Sequence, residues 1–189
     1  GVQPGGDPGQ YTQKLILRKT IVDNSSAKAA LKDKNGNVDS LIFAKDFLPV
    51  PHPMSSKASG EGTLAFVGYG VDMPGLYSDY EGVDVKGKVV VILPGRPESL
   101  PSEEAAHIAS LKARTAAEKG AVGMITINTP KDEKMRPFAQ GALFLHMPRI
   151  RWLHADGVAE GDYPQLKISA SLDMKPAEAL FAKAPVSLK

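Results

Sequence analysis

A chain of 189 residues, 42% hydrophobic and 23% charged, can bury a real core and reads as one globular domain with an elaborated edge. Its net charge of +2, with Lys and Arg scattered along the chain, gives no basis for binding nucleic acid or a membrane surface. The absence of cysteine excludes disulfides, thiol nucleophiles and Cys-based zinc sites, and no apolar run approaches the ~18 residues that a membrane span needs.

With 18 glycines and 15 prolines, the chain should turn often and favour strands. Gly1 to Gln10 reads as a coil lead-in, and its Gly-Val-Gln-Pro-Gly-Gly opening as the trimmed start of a longer chain. Tyr11 to Val22 is rich in Leu, Ile and Val and predicts a strand. Ala27 to Lys32 and Val38 to Phe43 predict a hairpin, because Asn35-Gly36 between them supplies the positive φ of a tight turn. Leu48 to Pro53 carries Pro49, Pro51 and Pro53, which remove ladder donors and restrict the segment to a sheet edge or a linker. Ser55 to Glu61 is a loop.

Gly62 to Asn128 is the central unit. Gly62 to Tyr69 predicts its first strand, and Asp72 to Gly75 a turn. Ser78 to Lys86 predicts a single helical turn. Val89-Val90-Val91-Ile92-Leu93 lacks alternation, as expected of a strand buried on both faces. A helix follows, with Ser102 as its cap and Glu103 and Glu104 at its positive end. Its packing face is built from Ile108, Leu111 and Thr115, widened by Ala105, Ala109, Ala113 and Ala116, and Gly120 closes it. Ala121 to Asn128 is a second buried strand, which completes a βαβ unit. Beyond it, Thr129 to Gly141 is charged and loop-like, and Ala142 to His146 predicts a short strand. Arg149 to Gly157 has a turn at Asp156-Gly157. Gln165 to Leu172 alternates as a half-exposed strand, and Pro176 to Lys183 predicts a terminal helix. The fold class is therefore mixed, strand-rich α/β with a βαβ core.

Three chemistries can be weighed on this frame. His154-Ala155-Asp156 and Glu103-Glu104 have spacings found in di-zinc peptidases, but they occur in the wrong order, and His154 to Gly157 reads equally as a turn. No Gly-x-Ser-x-Gly elbow is present, and of His52, His107, His146 and His154 the best placed for chemistry is His146, ending a short strand, although a lone His there is more often a packed or surface residue. Gly68-Tyr69-Gly70 lacks the third glycine and the following helix of a dinucleotide loop. The loop Lys131 to Gln140 is read equally as a solvated loop whose aromatic tucks inward and as a contact surface. Arg136, Phe138 and His146 are the candidate interaction residues.

Phe66-Val67-Gly68-Tyr69-Gly70, the run Asp79-Tyr80-Glu81-Gly82-Val83-Asp84-Val85-Lys86-Gly87-Lys88, and Lys119-Gly120-Ala121-Val122-Gly123-Met124-Ile125 together resemble the protease-associated (PA) domain. The version is the one inserted in secreted bacterial zinc aminopeptidases of the aminopeptidase Y and glutamate carboxypeptidase type. Gly6 to Gln13 and Ser171 to Ala184 resemble the segments that flank the insertion there. The resemblance implies a swivelling β/β/α architecture and one PA-type domain over residues 1–189, with its core at 60–150 and flanks at 1–59 and 151–189. It implies a non-catalytic lid or interaction module and no cofactor in this chain. Zinc and the general base would belong to a parent catalytic domain downstream of Lys189. The partners would be that catalytic domain and a peptide substrate, in a periplasmic or extracellular protein. Two other classes stand beside it. One is a self-contained hydrolase using His146 or His154 with Asp156. The other is a phosphohistidine-type swivelling domain, which needs a phosphorylatable His in a Gly/Thr-rich loop, a setting that none of the four histidines has.

Overall fold

The computed structural model describes residues 1–100, 105–182 and 184. In chain order the first strands are β1 (Leu17–Thr20), β2 (Ala29–Lys32), β3 (Val38–Leu41), β4 (Phe47–Pro49), β5 (Leu64–Phe66), β6 (Asp72–Met73), β7 (Tyr77–Ser78) and β8 (Val89–Ile92). Helix α1 (Ala105–Glu118) leads to β9 (Gly123–Ile127), then to two short helices, α2 (Pro130–Met135) and α3 (Phe138–Leu143). Strands β10 (Arg149–Trp152) and β11 (Ile168–Leu172) precede α4 (Met174–Phe181). The main sheet has five strands in the order β4-β11-β9-β8-β5. β5, β8, β9 and β11 run parallel, and β4 closes one edge antiparallel to β11. This is the strand-rich mixed α/β class expected.

The four residues of β8 are all buried because both faces of the sheet are covered. Val90 and Ile92 point into a cluster with Ala116 and Ala117 of α1, together with Val67, Tyr80 and Val85. Val91 points the other way, into a cluster with Phe47, Ile127, Leu172 and Ala177 and Phe181 of α4. Residues of the β2–β3 hairpin, Ala29 and Leu41, pack against this second cluster. Phe66 meets Phe181 edge to face at 5.0 Å between ring centroids. Gly120, at φ +84°, ends α1 as expected and lets the chain drop into β9. A Cβ on Gly123 would lie 2.5 Å from Ile168 Cγ1 and 2.9 Å from the Ile168 carbonyl oxygen, so β9 and β11 approach this closely only with glycine there.

The hairpin forms in the expected register, with Lys32 opposite Val38. Asp33 organises its turn by accepting from the Asn35 and Asn37 amides at 2.8 and 2.9 Å. The proline-marked segment is an edge strand, as its missing donors require. Four expectations need correction. The strand predicted over Tyr11 to Val22 is confined to Leu17–Thr20, because its partner β10 offers only four residues. Ser78 to Lys86 has turns and no helix, with Gly82 and Gly87 both at positive φ. Thr129 to Gly141 is mostly helical, not loop. Ala142 to His146 is the end of α3 and a following turn, not a strand. The Ser102 cap and the Glu103-Glu104 pair lie outside the described residues.

Candidate functional site

The segment after β9 folds locally through one capping device. Thr129 Oγ1 accepts from the Asp132 amide at 3.1 Å, and the Asp132 carboxylate accepts back from the Thr129 amide at 3.1 Å. Pro130 opens α2, where a missing N–H costs nothing. Glu133 then ties the segment to the sheet. Its carboxylate accepts from Asn128 Nδ2 at 2.7 Å and from the Phe138 amide at 2.8 Å.

This geometry separates the three candidate interaction residues. Arg136 is exposed at the end of α2, and His146 is exposed in the turn after α3. Phe138 is only 7% exposed, so it anchors the segment and cannot itself face a partner. The side chains that are presented there are Leu143, Phe144 and Met147, at 67, 61 and 52% exposure. Sequence reasoning missed these three. Their clustering after a helix with one buried anchor is the pattern that could have revealed them. Between this ledge and the β4 edge lies an open cavity of about 240 Å³, bounded by Leu48, Val50, Phe144, Met147 and Arg149 among others.

The other candidates are dispersed. His154 Nε2 meets Glu160 Oε2 at 2.8 Å, while Asp156 accepts from the Val158 amide at 2.9 Å and closes its own turn. The carboxylate that His154 engages is therefore Glu160, and the His154 ring also lies against Trp152, 4.3 Å between centroids and tilted by 52°. His52 Nδ1 accepts from the Met54 and Ser55 amides, each at 3.1 Å, and lies 3.6 Å from the buried Asp162. His107 is exposed on α1. Among the described residues no three His, Asp or Glu side chains gather as ligands.

The Gly68-Tyr69-Gly70 corner is closed by a carboxylate. Asp79 accepts from the Val71 amide at 2.9 Å and from the Tyr77 hydroxyl at 2.6 Å. A Cβ on Gly68, whose φ is +52°, would sit 2.4 Å from Asp79 Oδ1. The corner is thus filled from within and has no room for a phosphate.

One functional-looking group went unread in the sequence. Lys112 is 7% exposed, on the α1 stripe between Ile108 and Ala116. Its Nζ donates to the Leu93 carbonyl at 2.9 Å and the Gly95 carbonyl at 2.7 Å, which ties α1 to the end of β8. Burial pushes its ammonium down to about 8, against the opposing pull of Asp79 and Asp132. Next to it, Arg96 donates to the carbonyls of Pro97 and Leu100 and braces the 94–100 loop.

Compared with known families, residues 58–160 match the family model described as PA domain. No curated protein matches the chain.

Proposed function

The chain belongs to the PA domain family, and from that premise we propose that it serves as a lid or interaction module beside the active site of an exported zinc-dependent peptidase. PA domains are protease-associated modules, typically non-catalytic, found in peptidases and in secreted or membrane-anchored proteins. No described helix is long and apolar enough to cross a membrane. The finer reading has four parts: an aminopeptidase-type parent, zinc held by that parent's catalytic domain, a periplasmic or extracellular location, and one domain spanning residues 1–189.

The observation that carries it is the apolar ledge of Leu143, Phe144 and Met147, held on a rigid βαβ scaffold. Three large exposed apolar side chains within five residues are what a contact surface needs and what an isolated soluble face avoids. Contact with peptide or with the catalytic domain would cover them.

The test is kinetic. The parent enzyme with and without residues 1–189 should differ in kcat/KM for long peptides and agree for a one-residue chromogenic substrate. Equal values for both substrates would remove the lid reading. Stoichiometric zinc and peptide turnover by this chain alone, lost in His154→Ala, would replace it with the self-contained hydrolase.

A further inference from the structure

The β1–β10 ribbon has a register that is costly on its own. Arg18 lies directly opposite Arg151, and Thr20 opposite Arg149. Opposed residues and residues two apart share a face, so Arg18, Arg149 and Arg151 gather on one side of the ribbon. Like charges placed opposite each other destabilise a strand pair. Among the described residues no carboxylate makes an ion pair with any of the three. Arg18 Nη1 donates to the Met54 sulfur at 3.2 Å.

Arg149 also forms one end of the 240 Å³ cavity, whose other walls include the apolar Leu48, Val50, Phe144 and Met147. Drug-sized pockets run to roughly 300–1,000 Å³, so this one suits a single side chain. The free edge of β4 offers little to a pairing strand. Pro49 has no N–H, and the Val50 amide is already given to Ser169 at 2.8 Å. An occupant is therefore held by side chains. The apolar walls and the small net charge of +2 disfavour nucleic acid.

We propose that this cavity binds an extended peptide bearing a bulky apolar side chain next to an acidic residue. The apolar group lies between Phe144 and Val50, and the carboxylate takes Arg149, with Arg151 beside it. The inference deepens the interaction-module reading and rests on it.

The probe is a fluorescent, acetylated and amidated hexapeptide with a central Leu-Asp pair, measured by anisotropy against this chain. Amidation leaves the side-chain carboxylate as the acidic group. Replacing Asp by Asn in the peptide should weaken binding by about tenfold, the worth of one charge-assisted bond. Arg149→Gln should cost a similar factor, and the two losses should not multiply. Phe144→Ser, at an exposed position, should weaken the Leu-Asp peptide, while Lys34→Gln on the distant hairpin should leave binding unchanged. Equal affinity for the Asn peptide, indifference to Arg149→Gln in a folded protein, or no saturable binding up to ~1 mM would each overturn the proposal. So would tighter Arg149-dependent binding of a uridine oligonucleotide. If the peptide fails to bind while the parent still needs residues 1–189 for long substrates, this inference falls and the module reading survives. Peptide binding in a parent without peptidase activity would give the reverse.

Discussion

Lys112 allows a test in which burial, outweighing the pull of Asp79 and Asp132, sets the direction of the outcome. In the unfolded chain its ammonium titrates near the ordinary 10.5, and in the fold near 8. Between those values the unfolded chain holds a proton that the folded chain has shed. Stability therefore climbs with pH across this window, and the gain is lost as pH falls through 8. At ~1.4 kcal/mol per unit, over the roughly 1.5 units from 8 to 9.5, wild type should gain about 2 kcal/mol relative to Lys112→Met. Tyr77, pushed up to about 12 mainly by burial, and Tyr80, also pushed up by burial, act in the opposite direction at higher pH. Both proteins carry these tyrosines, so their effect cancels in the difference. Urea unfolding of the two proteins at roughly pH 7, 8 and 9.5 reads the difference directly. The sign at neutral pH is immaterial, because losing the bonds to Leu93 and Gly95 and removing a buried charge act against each other. Parallel stability curves, or a wild type that loses ground as pH rises, would falsify the claim that Lys112 is held desolvated.

Two further outcomes follow from packing and charge. Gly123→Ala pushes a methyl onto the Ile168 carbonyl, which cannot rotate away, and should lower stability by about 1–3 kcal/mol in urea melts; an unchanged midpoint would mean that β9 and β11 separate freely. Lys119 Nζ lies 2.6 Å from Asp72 Oδ2 and is the main cause holding that carboxyl below its ordinary value. The stabilisation is present at neutral pH and lost as pH falls through the depressed value, so Lys119→Met should flatten the acid limb of the stability curve, and an acid limb as steep as wild type would refute the pairing.

The sequence was most legible where pattern and partner are local. Val89 to Leu93 has no polar position because both sheet faces are covered, and Asn35-Gly36 marks a turn whose two strands are adjacent in the chain. Non-local pairing was illegible. Nothing in Leu17 to Thr20 says that its partner lies at Arg149 to Trp152, so the strand there was drawn too long. The helices α2 and α3 were hidden by composition. Charged residues suggested a loop, while Thr129-Pro130 with Asp132 three residues past the cap is a start signal that outweighs them. For the site, Arg136 and His146 do reach the surface, but Phe138 is the side chain that holds the segment down. Lys112 could not be read as buried, because its partners are carbonyls at the end of a strand 17 to 19 residues earlier. The Arg18–Arg151 juxtaposition depends wholly on a register that only the fold supplies.

The two-sided sheet bears on where this module begins and ends. The family match runs over residues 58–160, which includes α1 and most of one cover of the sheet, Tyr163 and Leu166 lying just beyond it. The other cover is assembled from outside that range: Phe47 and the hairpin residues Ala29 and Leu41 upstream, and Leu172, Ala177 and Phe181 downstream. A piece trimmed to the matched residues would carry Val91 and Ile127 to a wet face, and would lose both β11 and the β4 edge from its sheet. Recognisability and autonomy thus have different borders in this chain. The stretch that identifies the family is an open sandwich, and the less distinctive residues on either side are its missing slice.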